Sequence, residues 1–290
     1  MKVLCFGSAN LDHVYKVKHF TNPGETQSCL EYDVKCGGKG SNQAIATSLA
    51  GNDTYFAGII GKDGMLLKEA LINHGVHIDY LKIIDQPTGH AIIEVNDQGQ
   101  NHILLYGGTN QMIDLEYIDE VLSHFTKDDV IILQNEINNV PYLIEKAYEK
   151  GMMIFFNAAP YSKEVQDYPI DKVTWLVVNE TEAANLSNKE DYDDIIKILN
   201  NKYPNTNILF TMGEMGSRVI TNQEDIKVPA LKVKAIDTTG AGDTYIGYFV
   251  RGIVSHLSLY ETAFLATKAS AISVTRSGAV DSIPSYDEVK

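Results

Sequence analysis

The chain lacks the short motifs of several common enzyme classes, and each absence removes a class. It contains neither GxGxxG, the fingerprint of dinucleotide-binding folds, nor GxxxxGK[ST], the phosphate loop of Walker-type NTPases. HExxH and GxSxG are also missing, and the eight histidines show no metal-ligand spacing. The sequence therefore does not support a zinc hydrolase or a serine hydrolase.

Cysteines, long apolar runs and positive charges are also few. Cys5, Cys29 and Cys36 form no CxxC pair and leave an odd thiol in any disulfide scheme. The apolar stretch in MKVLCFGSAN is too short for a secretory signal, and no later run is long enough to span a bilayer. The net charge of −14 disfavours binding to nucleic acid and to anionic lipid. We therefore expect a reduced, cytoplasmic protein without nucleic-acid or membrane partners.

The residues that are present predict an α/β fold. Hydrophobic residues make up 44% of the 290 positions, enough for a sizeable core. Short apolar runs, typical of parallel strands buried on both faces, occupy residues 3–6, 130–133, 153–156, 175–178 and 208–210. Helix patterns lie between runs, at residues 41–50, 65–74, 141–150 and 193–203, and the first three each stop at a glycine. This alternation predicts a mostly parallel central sheet flanked by helices.

Two stretches do not fit the central sheet. Apolar and charged residues alternate over 30–35, and residues 91–95 and 102–106 flank an Asn-Asp-Gln-Gly turn. We expect a separate small β-sheet built from residues 12–36 and 88–107. The large domain would then comprise residues 1–11, 37–87 and 108–290.

Several predicted strands are followed by polar residues, which is where open parallel sheets bind ligands. These residues are Asn10, Glu136, Asn157, Asn179 and Thr211. Polar residues also begin ordinary loops, so the pattern favours a binding crevice only modestly.

The most informative stretch is DTTGAGD at residues 237–243. The small residues Gly240, Ala241 and Gly242 would let backbone N–H groups approach an anion at the start of a helix. Asp243 in the first turn could accept a proton from an acceptor hydroxyl. The alternative is that Asp243 merely caps the helix and the glycines form a turn. The residues alone leave both interpretations open.

Two further motifs are weaker when considered alone. In CGGKGSN, residues 36–42, the glycines would let the backbone approach a polyol, and Asn42 can both donate and accept hydrogen bonds, although a plain turn explains the glycines equally well. Asn179 and Glu182 could orient waters around Mg²⁺. Their spacing also fits a capping box, which is the favoured interpretation without other context.

Taken together, the motifs resemble the ribokinase-type sugar kinases, the PfkB-like carbohydrate kinases, in order and spacing. The matching stretches are residues 7–12 (GSANLD), 23–26 (PGET), 37–44 (GGKGSNQA) with Gly51 and Gly61, 157–160 (NAAP), 179–182 (NETE), 237–243 (DTTGAGD) and 274–279 (VTRSGA). The resemblance covers essentially the whole chain. It implies a large α/β domain with a small β-sheet lid, and ATP-dependent phosphorylation of a pentose, D-ribose to ribose 5-phosphate. Another sugar of the fructose or tagatose type, a nucleoside, or a non-catalytic sugar-binding regulator remain alternatives.

The resemblance also implies residue roles. Asp243 would be the catalytic base, and the backbone of Gly240, Ala241 and Gly242 the anion hole. The sugar would be held by Asn10, Asp12, Gly38, Lys39, Asn42, Glu136 and Asp243. ATP would contact Asn179, Thr211, Gly213, Gly216, Gly242 and Thr267. Mg²⁺ would be organised indirectly by Asn179 and Glu182. A monovalent cation, K⁺ as activator, would bind near Asp237, Thr239, Arg276, Gly278 and Ser282. A homodimer through the lid is expected.

Three positions depart from the family pattern. Tyr248 follows Gly247 where a small residue is usual, so local helix packing must differ. Leu66 stands where a glycine commonly follows Gly61-Lys62-Asp63. Thr267 replaces an Asn or His near the adenine, so base contacts are expected to differ.

Overall fold

A computed structural model describes residues Met1–Lys290. Its strands are β1 (Val3–Phe6), β2 (Asn10–Lys16), β3 (Glu31–Gly37), β4 (Thr54–Gly61), β5 (His77–Ile84), β6 (Gly89–Val95), β7 (Asn101–Tyr106), β8 (Val130–Gln134), β9 (Met153–Asn157), β10 (Trp175–Val178), β11 (Asn207–Thr211), β12 (Ser217–Ile220) and β13 (Asp225–Val228). Its helices are α1 (Lys39–Leu49), α2 (Met65–Asn73), α3 (Leu115–Ser123), α4 (Val140–Glu149), α5 (Glu180–Ser187), α6 (Tyr192–Lys202), α7 (Ala241–Val254), α8 (Leu259–Ser273) and α9 (Tyr286–Val289). None of these helices combines the length and the hydropathy needed to span a bilayer.

The large sheet has nine strands in the order β13-β12-β11-β10-β9-β8-β1-β4-β5. All pairs from β11 to β5 are parallel, and β12 and β13 extend the sheet antiparallel at one edge. Neighbouring residues of a strand contribute to opposite cores: Leu4 and Phe6 pack on one face, and Val3 and Cys5 on the other. The predicted mostly parallel sheet with helices on both faces is confirmed.

The predicted helices end where their glycines indicated. Gly51, Gly75 and Gly151 follow α1, α2 and α4 with φ of 89°, 75° and 73°, the left-handed conformation that glycine adopts without steric cost. The predicted helix at 193–203 is α6, shifted by one residue.

The second sheet contains four strands in the order β3-β2-β6-β7. β6 and β7 form the predicted antiparallel hairpin, and the half-exposed alternating strand lies at Glu31–Gly37. These strands fall largely within 12–36 and 88–107, while the domain boundaries themselves remain a prediction.

Close packing of α1 on α7 brings the two glycine-rich segments together. Gly247 makes this possible, since a Cβ there would lie 2.6 Å from the backbone carbonyl carbon of Ala46. The next residue, Tyr248, is fully buried and its hydroxyl donates to the backbone oxygen of Pro284 at 2.7 Å. The large side chain at 248 therefore packs toward the C-terminal segment and leaves the α1–α7 contact intact.

Candidate active site

Asp243 lies in the first turn of α7, and its side chain does not cap the helix. Asn42 Nδ2 donates to Oδ2 at 3.1 Å and Gln43 Nε2 donates to Oδ1 at 2.8 Å, so both carboxylate oxygens face α1. Burial raises the pKa of Asp243, and the Lys39 ammonium and the two amide donors oppose this rise. The capping alternative is therefore wrong for this side chain.

The start of α7 has the form of an anion cradle. Gly240 precedes the helix with φ 73°, and a Cβ placed on Gly242 would have no atom within 4 Å. The N–H of Ala241 donates to the Thr238 oxygen at 3.2 Å, which leaves the amides of Gly242 and Asp243 available to a ligand. Open space in front of helix-terminal amides suits a phosphate group.

The residues expected around the sugar lie beside this helix start. Gly38, with φ 90°, lies against the backbone of Asn10, and a Cβ there would be 2.8 Å from the Asn10 nitrogen. Glu136 Oε2 accepts hydrogen bonds from the Lys39 N–H at 2.9 Å and from the Ser8 hydroxyl. The buried Oδ1 of Asn42 has no partner within the protein, which fits an acceptor for a substrate hydroxyl.

The ionisable side chains of the pocket change one another's pKa values. Burial, followed by the repulsion from Glu136, raises the pKa of Asp12 to about 7. Burial of Lys39 disfavours its charge, but attraction to Asp243, Glu136 and Glu182 raises its pKa overall. Lys39 is thus the cation shared by Asp243, Glu136 and Glu182.

Three residues of the pocket had no predicted role. Asn110 donates to Asn10 Oδ1 at 2.7 Å and accepts from the Ala9 N–H at 3.1 Å. Ser8 and Gln43 lie within the matched motifs, so their position next to predicted site residues was a usable signal. Asn110 follows a predicted hairpin, and nothing in its neighbourhood indicated a site.

On the expected nucleotide side, Asn179 and Glu182 form the capping box of α5. Glu182 Oε2 accepts from the Asn179 N–H at 2.8 Å, and Asn179 Oδ1 accepts from the Glu182 N–H at 3.0 Å. Burial raises the pKa of Glu182. Its second oxygen, Oε1, makes no hydrogen bond, so the pair can cap the helix and still hold a water of a hydrated Mg²⁺.

The other residues expected near ATP lie after β11 and within α8. Gly213 and Gly216 have φ of 48° and 98°, which forms a tight loop after Thr211. Thr267 is buried and donates to the Ala263 oxygen at 2.8 Å within α8. This bond occupies the hydroxyl proton of Thr267. Thr267 therefore has no free donor for the adenine base, unlike the Asn or His that is usual at this position.

The residues expected around K⁺ connect two loops. Asp237 accepts from the Thr239 N–H and the Gly278 N–H, both at 2.9 Å. Burial raises its pKa, but these hydrogen bonds outweigh the effect and hold the pKa below its usual range. Arg276 pairs with Glu288, so it could contribute only a backbone oxygen, and Ser282 donates to the Ala279 oxygen at 2.9 Å. A cation site of backbone oxygens is compatible with this arrangement.

Comparison with known proteins decides the family. The model for the pfkB family of carbohydrate kinases matches residues 1–286. The chain belongs to this family. It is accordingly a phosphotransferase that acts on an alcohol group.

Relatives of this pfkB family chain carry more specific names. It is 34% identical to the ribokinase of Staphylococcus aureus, over 99% of this chain and 98% of the relative. It is also 34% identical to a bifunctional ribokinase/ribose-5-phosphate isomerase A of Fructilactobacillus sanfranciscensis, over 99% of this chain but only 55% of that longer protein. The structure of Arabidopsis thaliana ribokinase with ribose and ATP superposes with a TM-score of 0.90 at 28% identity, covering 99% of this chain and 96% of the other. The chain is thus a ribokinase-type sugar kinase, for which ATP is the expected phosphoryl donor.

Proposed function

We propose that the protein transfers the γ-phosphoryl group of ATP to the 5-hydroxyl of D-ribose, forming ribose 5-phosphate and ADP. The observation that carries the proposal is the pairing of a buried carboxylate, Asp243, with two free amides at the same helix start. Similarity to proteins named ribokinase supports ribose as the acceptor.

In the proposed mechanism Asp243 accepts the proton of the attacking hydroxyl. That oxygen forms a bond to the γ-phosphorus as the bond to the ADP oxygen breaks. Of the expected segment Gly240–Ala241–Gly242, the N–H of Ala241 donates to Thr238, so the amides of Gly242 and of the next residue, Asp243, stabilise charge on the transferring group. Burial of Asp243 favours the reaction because it makes the carboxylate a better proton acceptor than an exposed aspartate.

Ribose recognition is assigned to four polar side chains and one backbone segment. Asn10, Asp12, Asn42 and Glu136 offer carboxylate and amide groups suited to vicinal hydroxyls, and Gly38 and Lys39 bring the backbone close. The small sheet bearing Asp12 would act as a lid that closes over the sugar and excludes water. The pocket's preference for a polyol rather than an apolar group follows from these side chains.

Two cations complete the proposal. Mg²⁺, when bound, neutralises charge on the ATP phosphates, and Asn179 and Glu182 would hold its waters. K⁺ would bind between the loops joined by Asp237 and activate the enzyme. Equal rates with K⁺ and with a large organic cation would contradict the second assignment.

We also propose that the lid mediates a homodimer. The four-stranded small sheet exposes several large apolar side chains. Tyr32, Ile103 and Leu104 are 53%, 54% and 66% exposed. Burial against a second copy would remove this surface from water.

ADP release from MgATP, measured with K⁺ present, tests the acceptor. The panel is D-ribose, 2-deoxyribose, fructose, tagatose and several nucleosides, with Asp243→Asn as the blank. Strong selectivity for D-ribose is expected. Selectivity for another acceptor would support kinase activity but contradict the assignment of ribose as the acceptor. No turnover with any acceptor would favour a sugar-binding regulator.

A further inference from the structure

A line of buried polar side chains runs from β1 to the carboxylate of Asp243. Gln43 Nε2 donates to Asp243 Oδ1 at 2.8 Å, and Gln134 Nε2 donates to Gln43 Oε1 at 2.7 Å. Gln134 Nε2 also lies 3.6 Å from the sulfur of Cys5. Cys5, Gln43 and Gln134 are 0% exposed, so none of them can touch the sugar or ATP.

The direction of these hydrogen bonds agrees at the two ends of the line, because an ionised Asp243 can only accept and the Cys5 sulfur accepts from Gln134. The Cys5 thiol donates to the Gly40 backbone oxygen at 3.1 Å, which turns its lone pairs toward Gln134. Gln134 must then present its NH₂ group to both the sulfur and Gln43 Oε1. Because the oxygen of the Gln43 amide is held in this way, its NH₂ group points at Asp243.

The surrounding backbone leaves room for this arrangement. A Cβ on Gly7 would lie only 2.0 Å from Gln134 Oε1, so the Gln134 amide occupies the space that a side chain at position 7 would need. Gln134 Oε1 itself is buried without a partner. A core built for stability alone would place apolar groups here, because a buried polar atom without a partner is unfavourable.

We propose that Gln43, oriented by Gln134 and Cys5, is a positioning residue for Asp243. Gln43 fixes Oδ1, so that Oδ2, next to the open oxygen of Asn42, is the atom turned toward the acceptor hydroxyl. The inference rests on the proposed role of Asp243 as the base. It adds a reason for the two glutamines: they set the direction of the carboxylate, and the Gln43 donor favours its ionised form.

The groups around Asp243 predict the sign of a pH effect. Lys39 is the charged group that faces it, the amides of Asn42 and Gln43 donate to it, and the Cys5 thiol lies behind them. The carboxylates of Glu136 and Glu182 act on Lys39. Loss of the Gln43 donor removes an interaction with the ionised form, so the carboxylate should be protonated at a higher pH.

Gln43→Met tests the proposal, because methionine keeps the length of glutamine without its donor. Thr47→Val is the matched control, since Thr47 is equally buried one turn later on α1 and makes only a local bond to the Gln43 backbone. We expect kcat for phosphoryl transfer to fall about 100-fold, with KM for the sugar near the wild-type value. The acid limb of the kcat profile should move to higher pH, while Thr47→Val changes neither quantity.

A folded Gln43→Met enzyme with unchanged kcat, or with reduced kcat and an unmoved acid limb, would overturn the proposal. Cys5→Ser and Cys5→Ala provide a second test at the far end of the line. Serine can still donate to Gly40 and accept from Gln134, so the serine variant should be the more active, whereas simple packing predicts the reverse order. Asp243→Asn separates the role of Asp243 as the base from the positioning role of Gln43. Retained turnover in Asp243→Asn would contradict the assignment of the base. An inactive Asp243→Asn together with a fully active Gln43→Met would contradict only the positioning role.

Discussion

The side-chain amide of Asn42 donates to Oδ2 of Asp243 at 3.1 Å, although 201 positions separate the two residues. This contact joins the two glycine-rich motifs, one at the start of α1 and one at the start of α7. It depends on the close approach of the helices at Gly247, where any side chain would clash with the backbone of Ala46. The sugar-binding and phosphoryl-transfer halves of the proposed site are therefore connected by helix packing.

The first prediction concerns Asp243→Asn. The variant keeps the shape of the side chain and removes the proton acceptor, so kcat should fall by about 10³-fold or more. Thermal stability should change little, because relief of the buried charge is opposed by the loss of one oxygen that accepts from Asn42 or Gln43. Steady-state kinetics and thermal denaturation measure the two effects.

Asp79→Asn is a control for the loss of one negative charge, because Asp79 is exposed on β5. It should leave kcat unchanged. An Asp243→Asn enzyme that kept most of its kcat would remove the assignment of the base.

Much of the fold was predictable because it depends on local patterns. The period of two in β3 and the glycines after α1, α2 and α4 correctly indicated the small sheet and the helix ends. The antiparallel edge strands β12 and β13 were not predicted, since they carry neither a long apolar run nor a recognised hairpin signal.

The candidate site, like the fold, was predictable only where it depends on local motifs. Asn42 and Asp243 lie in motifs whose glycines could be read directly, but the residues alone left Asp243 equally compatible with a helix cap. That alternative could be settled only by the contacts of its carboxylate with α1. The approach of Asn110 to Asn10 and of Gln134 to Gln43 depends on tertiary packing across 100 and 91 positions, which no local pattern encodes.

A second prediction follows from Asp12, whose pKa rises from near 3.8 to about 7 on folding. A carboxyl with a raised pKa binds its proton more tightly in the folded state, so its contribution to stability is lost as pH rises from about 4 to 7. Asp12→Asn avoids this loss. Its Tm should exceed that of the wild type by about 2–4 °C at pH 8, and the difference should vanish below pH 4.

At pH 8, where Asp12 is ionised, the same substitution should raise KM for the sugar about tenfold, because a charged hydrogen-bond acceptor is lost. Asp33→Asn, at an exposed position of the same sheet, is the control and should change neither Tm nor KM. A pH-independent difference in Tm between Asp12→Asn and the wild type would show that ionisation of Asp12 is not its cause.

A third prediction contrasts two glycines of the anion cradle. Gly242 has open space where a Cβ would be placed, so Gly242→Ala should fold with an unchanged or higher Tm. Its methyl group would occupy the space assigned to phosphate, and kcat/KM for ATP should fall at least about tenfold. Full activity of Gly242→Ala would contradict the cradle.

Gly240→Ala should behave differently. Gly240 has φ 73° and its Cβ would lie 3.1 Å from the Ala279 Cα, so alanine is strained there. A cost of about 1–2 kcal/mol in the free energy of unfolding is expected, measurable by chemical denaturation. Equal unfolding free energies for Gly240→Ala and Gly242→Ala would show that the left-handed conformation is not required.

The last prediction concerns the lid as a dimer interface. Cross-strand pairing places Ile92 opposite Leu104 on one face of the sheet and Ile93 opposite Ile103 on the other. Ile103 and Leu104 are both more than half exposed, so each face offers apolar surface to a second copy. Light scattering should give twice the mass of the chain for the wild type.

Ile103→Glu and Leu104→Glu test the two faces separately, because a buried unpaired charge would oppose association. At least one of them should yield monomers, and the variant that does so identifies the face used. Met215→Glu, an equally exposed apolar position in the large domain, should remain dimeric. A monomeric wild type, or dimers in both lid variants, would exclude association through the lid and leave its exposed apolar residues to serve closure over the sugar alone.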